Sequence, residues 1–169
     1  TGCRVTDFVG LKQDYDAVLL ALGTHKGVRL PMQGNDLPGV LVNSDFLRSA
    51  AMDQPTGMGK RVIVLGGGNV AFDCARTARR LGAQEIHLAC LEARDKMLAD
   101  EEEITQAQEE GIRIHPAHTF EAIVGTDHAE GVRFCRVKSF TFDENRRAII
   151  EKEENSESVI EADTVIFAT

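Results

Sequence analysis

The sequence predicts an α/β fold in which a parallel sheet of βαβ units carries an inserted antiparallel β-meander. From Lys60 onward, short β-branched runs alternate with helical stripes, which is the pattern of a parallel sheet with crossover helices. From Thr119 onward, strand-like runs are separated only by turn residues, a spacing that permits hairpins and no helical crossover. The length of 169 residues suits one domain, or one domain and part of another.

The part of the chain before this pattern has three predicted pieces. Residues 14–23 contain an uninterrupted apolar run between acids and a glycine, which is typical of a buried strand. Residues 24–42 carry several glycines and prolines without periodicity and predict an irregular connector. Ser44 or Asp45 is suited to cap a short helix that ends near Met52.

A complete βαβ unit follows. Its first strand is the β-branched run at 61–65, and its helix covers 69–81, where small and apolar residues share one stripe. Gly82 stands immediately after the last periodic residue, as expected of a glycine that ends a helix. The second strand of the unit is predicted at 85–91.

The rest of the chain is assigned from the same signals. Residues 95–110 predict a helix whose first part is enriched in negative charge at 100–103 and which Gly111 ends. The predicted strands after it are 112–115, 120–124, 132–142, 148–151, 158–160 and 163–169, with turns at 125–127 and 143–145. The strands expected in the parallel sheet are 61–65, 86–91, 112–115 and 163–168. Those between 119 and 160 should form a separate antiparallel layer.

Composition excludes several functional classes. A net charge of −8 disfavours a sequence-independent nucleic-acid binder, and 5% aromatic residues leave few rings for base stacking. No apolar stretch approaches the ~20 residues that span a bilayer, so neither a nucleic acid nor a membrane is expected as a partner. The four cysteines form no CxxC pair and favour core positions in a reducing compartment, which predicts a cytoplasmic location.

The motif that points to chemistry is GGGNVA at 66–71, which fits the GxGxxA form of the dinucleotide-binding fingerprint. Gly66 permits the tight turn from strand to helix, Gly68 lets a pyrophosphate approach the backbone, and Ala71 lets the helix pack against the sheet. The N-terminus of that helix favours a diphosphate, which makes the unit Rossmann-like. The alternative is a glycine turn that binds nothing. The candidate cofactor-binding residues of the turn are Gly66, Gly67, Gly68, Asn69 and Val70.

Two charged residues after the second strand bear on the choice between NADH and NADPH. Glu92 follows the strand at the place where ribose hydroxyls are bound, and a carboxylate there accepts from a 2′-hydroxyl and repels a 2′-phosphate. Arg94 could instead clamp that phosphate, or lie in an exposed charged loop. The balance predicts NAD(H) or NADP(H) as cofactor, with a slight preference for NAD(H).

No other motif indicates a catalytic residue or a metal site. His115 and His118 are close in sequence, but no third ligand is apparent. The sequence GMGK at 57–60 is not a P-loop, because Arg61 follows where a Ser or Thr is required. No nucleophile–base pattern supports hydrolytic chemistry.

Seven segments, in order, resemble the small subunit of glutamate synthase and related flavin-dependent pyridine-nucleotide oxidoreductases. They are 14–23, 37–40, 59–71, 75–83, 94–97, 109–112 and 162–169. In that family an NAD(P)H-binding domain interrupts a FAD-binding domain. The resemblance therefore implies that residues 1–52 are a remnant of the FAD-binding domain and 53–59 a linker. Residues 60–169 would be the NAD(P)H-binding domain, ending where the chain returns to the FAD domain.

The resemblance also implies a function, in which the reduced nicotinamide passes a hydride to FAD. The family's FAD fingerprint is absent from this sequence, so FAD is expected in the full-length protein and its site is incomplete here. The implied partners are the rest of the flavoprotein chain and an electron-accepting subunit. Ala168 and Thr169, on the strand that returns to the FAD domain, are further candidate cofactor-binding residues. The alternative is a non-enzymatic, nucleotide-sensing or structural Rossmann module.

The sequence departs from the family pattern at two places. Members that prefer NADPH usually have an aromatic residue and two arginines after the second strand, where this chain has Glu92, Ala93 and Arg94. Many relatives have a proline where this chain has Leu98, a difference expected to affect the start of the next helix more than the function.

Overall fold

The structure is a computed structural model that describes residues 4–21, 23–144 and 148–169, with only the backbone of residue 142. Its α-helices are α1 (Phe8–Asp14), α2 (Asn43–Ala51), α3 (Asn69–Arg80) and α4 (Glu101–Glu109). Its strands are β1 (Val40–Val42), β2 (Arg61–Leu65), β3 (Glu85–Ala89), β4 (Arg113–His115), β5 (His118–Val124), β6 (Gly131–Phe142), β7 (Ala148–Lys152), β8 (Ser158–Glu161) and β9 (Thr164–Phe167).

The first layer is a five-stranded parallel sheet in the order β1-β9-β2-β3-β4. The four strands predicted for this sheet all belong to it. The prediction that 24–42 is irregular throughout was wrong at its end, because β1 pairs with β9 there. Three residues are too few to show a period, and β1 is a strand because β9 supplies its hydrogen-bonding partner.

Helices cover one face of this sheet and strands cover the other. Ala71, Cys74 and Ala78 on α3 are fully buried and pack with inward residues of β2, β3 and β9. The predicted stripe of Val70, Cys74 and Ala78 is confirmed at Cys74 and Ala78 but not at Val70, which is 44% exposed and lines the cavity at the start of the helix. Gly82 follows the helix with a φ of +96°. On the opposite face, Val132 and Phe134 of β6 pack against the sheet.

The second layer is the predicted antiparallel meander. The long strand β6 pairs with β5 and β8 through its first half and with β7 through its second half. Antiparallel pairing follows from the short connections, which cannot hold a crossover helix. The predicted turn at 143–145 lies partly outside the described residues, because Asn145 is not among them.

Three further predictions differ from the structure. Neither Ser44 nor Asp45 caps α2, because the helix begins at Asn43 and its N-cap, Val42, makes no side-chain capping bond. Residues 15–21 are exposed and form no strand, and no described strand pairs with them; Leu22 lies outside the described residues. The helix predicted from Asp95 begins only at Glu101, after a 3₁₀ turn at Arg94–Lys96. Asp100 is the N-cap of α4, so the three glutamates that follow it occupy the first turn, where the helix dipole favours negative charge.

Candidate functional site

A cavity of about 540 Å³ opens at the carboxyl edge of the parallel sheet. The chain proceeds from β2 to β3 and β4 on one side, while β9 and β1 lie on the other. The crevice beside β2 is therefore a topological switch point, where open α/β sheets bind their ligands. The cavity is lined by Asn43, Gly66, Gly67, Gly68, Asn69, Val70, Cys90, Leu91, Glu92, Leu98, Phe120, Ala168 and Thr169.

The turn after β2 requires its first glycine. Gly66 has a φ of +148°, and a Cβ built on it would lie 2.3 Å from the carbonyl oxygen of Ala168. The Gly66 N–H also donates to the carbonyl oxygen of Ala89 at the end of β3, at 2.9 Å. A side chain at this position would push β9 away from β2, so the turn stays tight only with glycine.

Gly68 has a different role, because its surroundings are open. It is the N-cap of α3, has an extended backbone with a φ of −94°, and no side chain caps the helix there. A Cβ built on Gly68 meets no atom within 4 Å. Gly68 and the first two residues of α3, Asn69 and Val70, line the cavity, and the space beside Gly68 is open, as a pyrophosphate site at a helix N-terminus requires.

Glu92 lies over the same turn. A Cβ built on Gly67 would come within 2.9 Å of a Glu92 carboxylate oxygen and 2.8 Å of the Cys90 Cβ. The carboxylate is thus held beside the turn that a nucleotide would approach. Burial, with the negative charge of Glu92 added, raises the pKa of Cys90 to about 12, so this residue remains a neutral thiol near pH 7.

The other described cysteines also behave as core residues. Cys74 and Cys135 are free and buried, and burial raises the pKa of Cys74 to about 12.

No group of three or more His, Cys, Asp or Glu side chains within the described ranges is arranged to hold a metal ion. No helix in the part of the chain that the structure describes is both long enough and apolar enough to cross a bilayer.

Arg94 is the one predicted site residue that does not line the cavity. Its guanidinium donates two hydrogen bonds to the Glu101 carboxylate, at 3.0 and 2.5 Å. This pairing lowers the pKa of Glu101 and raises that of Arg94. The structure therefore brings together all the other predicted residues and turns Arg94 toward α4.

Sequence reasoning missed residues that come from other elements. Asn43 reaches the cavity because β1 ends at the same edge as β2, and Phe120 reaches it from β5 of the meander. Identifying β1 would have placed Asn43 there, since parallel strands end at one edge. A second cavity of about 300 Å³ shares Asn43, Val70 and Thr169 with the first and extends to residues 24–28. Together the two cavities give the site an elongated outline.

A parallel sheet with helices on one face is the fold of the Rossmann-like domains of FAD- and NAD-binding oxidoreductases. The family model described as "Pyridine nucleotide-disulphide oxidoreductase" matches residues 3–169. The chain belongs to this family, and the resemblance inferred from its sequence is confirmed.

Two curated relatives show the degree of similarity. The beta subunit of NADPH-Fe(3+) oxidoreductase from Geobacter sulfurreducens is 42% identical over 163 residues, which cover 94% of this chain and 24% of that protein. The small chain of NADPH glutamate synthase from Halomonas elongata is 36% identical over 175 residues, covering 98% of this chain and 37% of that protein. The chain thus spans less than two fifths of the length of either relative.

Solved structures confirm the fold. FprA from Mycobacterium tuberculosis, in complex with NADPH, superposes with a TM-score of 0.70 at 19% identity, covering 96% of this chain and 51% of that one. Thioredoxin reductase from Giardia duodenalis superposes with a TM-score of 0.62 at 20% identity, covering 84% of this chain and 40% of that one. At these identities the similarity concerns the fold alone.

Proposed function

We propose that this chain is the NAD(P)H-binding domain of a flavin-dependent oxidoreductase similar to the glutamate synthase small subunit. The observation that carries the proposal is the open N-terminus of α3 at Gly68, which faces a cavity at the switch point of the sheet. In the parent protein, the reduced nicotinamide would supply a hydride to FAD. The part of this chain is to bind and orient the nucleotide.

The lining residues favour one orientation of a bound dinucleotide. The pyrophosphate would accept hydrogen bonds from the first turn of α3, and the adenosine ribose would lie against Glu92 after β3. The nicotinamide end would then extend toward Thr169 and Asn43, where the second cavity continues. This direction follows from the rule that the second strand of a βαβ unit ends at the adenosine ribose.

FAD would be bound mainly by the rest of the parent protein. The sequence contains one GxGxxA fingerprint, and the nucleotide assigned to it is the nicotinamide cofactor. We propose that the segment before β1, within residues 1–52, is a remnant of the FAD-binding domain, and that 60–169, to which 53–59 leads as a linker, is the NAD(P)H-binding domain. β1 and Phe46 of α2 belong to the sheet and core of this second part, so the boundary is drawn before β1. The exposed apolar run at 15–21 supports this division, because its sequence is that of a strand and it has no described strand partner.

The electron acceptor belongs to the same proposal. Several relatives are named as subunits, among them the beta subunit of NADP(+)-dependent formate dehydrogenase from Moorella thermoacetica. We therefore propose that this domain works together with the rest of its own flavoprotein chain, and that the flavoprotein passes electrons to a separate electron-accepting subunit. The cytoplasmic location expected from the sequence stays a prediction.

Binding of the nucleotide is tested by calorimetric titration of the chain with NADH and NADPH. Gly68→Val should abolish binding of both, because its side chain occupies the space of the pyrophosphate, and Gly68→Ala should weaken binding less. The melting temperature should fall slightly and to a similar extent in both variants, because Ala and Val are poorer N-cap residues than glycine, whereas a Cβ at this position meets nothing within 4 Å. Unchanged affinity in Gly68→Val would contradict the proposal. Stoichiometric FAD in the purified chain would contradict its division into domains.

The preference for NADH rests on Glu92 alone, whereas the names of the relatives favour NADPH. Because Arg94 pairs with Glu101, we propose a modest preference for NADH, of about tenfold or less. Glu92→Ala should raise the affinity for NADPH, most at low salt, where charges are least screened. Glu102→Ala, which removes an exposed carboxylate outside the cavity, should change neither dissociation constant. Tighter binding of NADPH by the unchanged chain would show that Glu92 does not decide the preference.

A further inference from the structure

We propose that Phe120 of the meander is an apolar wall of the cavity opposite the N-terminus of α3, and that a bulge in β5, fixed by Glu121 and Lys152, positions this wall. The wall shields a bound pyrophosphate from water on the side that α3 does not cover. The inference rests on the proposed function and adds a role for the meander in the site.

The position of Phe120 follows from the two layers of the fold. The helix α3 packs on one face of the parallel sheet, and the meander packs on the other. Both layers reach the cavity, because α3 contributes Asn69 and Val70 to its lining and the meander contributes Phe120. The cavity is therefore bordered by a helix N-terminus on one side and by a phenyl ring on the other. Among the lining residues that the structure describes, Phe120 is the only one with an aromatic ring.

The Phe120 ring is supported from behind by the core. It is half-buried, and its centroid lies 6.2 Å from that of Phe134, with the two ring planes at 82° to each other. This edge-to-face arrangement is one that aromatic pairs prefer. Phe134 is fully buried between the meander and the sheet. Phe120 thus packs against a fixed ring and presents its remaining surface to the cavity.

A β-bulge lies immediately after Phe120. In the pairing of β5 with β6, Phe120 lies opposite Phe134 and Ala122 lies opposite Arg133, so Glu121 is an extra residue without an opposite partner in the register. Bulges change the direction of the side chains beside them and are frequent next to binding sites. The bulge at Glu121 is therefore the feature of β5 that sets the direction of the Phe120 ring.

Two hydrogen bonds fix the bulge. The hydroxyl of Thr119 donates to one carboxylate oxygen of Glu121, and the ammonium group of Lys152 donates to the other at 2.6 Å. Burial acts to raise the pKa of Glu121, but the bonds from Lys152 and Thr119 outweigh it and lower this pKa, so the carboxylate is ionised near pH 7. Because Lys152 belongs to β7, the carboxylate joins the strands on either side of β6.

An apolar wall at this place has a specific consequence for a bound pyrophosphate. The N–H groups of α3 would bind the pyrophosphate from one side, and its other side would face Phe120. A phenyl ring excludes water and dissolved ions, and charged hydrogen bonds are less screened where water is excluded. The wall should therefore make binding tighter and less sensitive to salt.

The wall is tested by calorimetric titration at low and at high salt with NADH and with ADP-ribose, which carries the pyrophosphate without nicotinamide. Phe120→Ala should weaken both ligands by the same factor, about fivefold, and should make both affinities fall more steeply with added salt. Phe120→Leu keeps most of the apolar volume and should bind within about twofold of the unchanged chain. Phe8→Ala is the matched control, since Phe8 on α1 is 46% exposed and lies outside the cavity. It should change neither the affinities nor their salt dependence.

The positioning role of Glu121 is tested by a double-mutant cycle. Glu121→Ala should weaken ADP-ribose binding by about threefold in the unchanged chain. In the Phe120→Ala background it should have no further effect, because a residue that acts through the ring has nothing to position once the ring is removed. Glu121→Gln should restore binding, since its amide can still form hydrogen bonds with Thr119 and Lys152.

The outcomes separate this inference from the proposed function. If the unchanged chain binds neither NADH nor NADPH, the proposed function fails and the inference fails with it. If the chain binds both ligands but Phe120→Ala binds ADP-ribose as tightly and with the same salt dependence, the wall is overturned and the proposed function stands. If Glu121→Ala weakens binding equally in both backgrounds, the positioning role is overturned. If melting curves show that Phe120→Ala does not fold, Glu121→Ala decides alone, and an unchanged affinity for ADP-ribose overturns the proposal.

Discussion

Two segments of similar sequence adopt different structures in this protein. Asp16–Leu22 and Asp163–Ala168 each consist of an aspartate followed by a β-branched and apolar run that ends in small or apolar residues. The second segment contains β9, whose four residues are all buried in the parallel sheet. In the first, the described residues 16–21 are exposed and irregular, and Leu19 is 90% exposed.

The two segments differ in the strands and layers that surround them. β9 has β1 on one side and β2 on the other, so its backbone groups are paired along both edges. Val165 and Phe167 pack toward the meander, and Ile166 packs toward the helices. An apolar run thus becomes a strand only where other strands pair with its backbone and other layers cover its two faces.

The largest expected effect compares a buried residue of β9 with an exposed residue of the first segment. Phe167→Ala should lower the free energy of unfolding by about 3–5 kcal/mol, because it removes a fully buried ring from the core. Leu19→Ala should change it by less than about 0.5 kcal/mol. Urea denaturation of the two variants measures both values. A large loss in Leu19→Ala would mean that the first segment is packed in solution.

Lowering the pH should destabilise the parallel sheet through His115. The pKa of His115 on β4 is lowered from 6.5 to about 4 by burial and by His87, His118 and Arg113. The unfolded chain therefore binds the proton more readily, and the contribution of His115 to stability is complete above pH 6.5 and lost as the pH falls toward 4.

The expected size of this loss is about 2–3 kcal/mol. His115→Gln should remove that part of the pH dependence, which urea denaturation at pH 7 and pH 4.5 would measure. An identical pH dependence in the variant and the unchanged chain would show that His115 does not titrate in this way.

A smaller effect is expected at the aspartates that open the two segments. The Asp163 carboxylate accepts from the backbone N–H groups of Lys60 and Arg61, at 3.1 Å each, and so joins the start of β9 to the start of β2. Asp163→Ala should cost about 1–2 kcal/mol, because these donors lose a charged acceptor. Asp16→Ala, in the exposed segment, is the control and should cost nothing measurable. Thermal unfolding of both variants measures the two losses of stability. An equal loss in the two variants would contradict the role given to Asp163.

Much of the fold was predictable because the signals are local. The β-branched run of β2, the stripe of α3 and the glycine turn between them follow one another in the sequence, and the turn residues around the meander indicate hairpins. What could not be predicted depends on contacts between distant residues. The strand β1 exists because β9 pairs with it, and the late start of α4 accompanies a loop in which the Asp100 side chain accepts a hydrogen bond from Asn69 of α3.

The sequence by itself determined the class of the protein and the centre of its candidate site. The glycine turn predicts a helix N-terminus open to a ligand because a β-branched strand precedes it and a helix and a second strand follow it, and these signals all act over a few residues. Only the tertiary structure decided that Arg94 turns to Glu101, that Asn43 and Phe120 join the cavity, and that one apolar run is a strand while the other is exposed. The physical reason is that pairing and burial depend on which surfaces meet in three dimensions, and the local pattern of a segment does not contain that information.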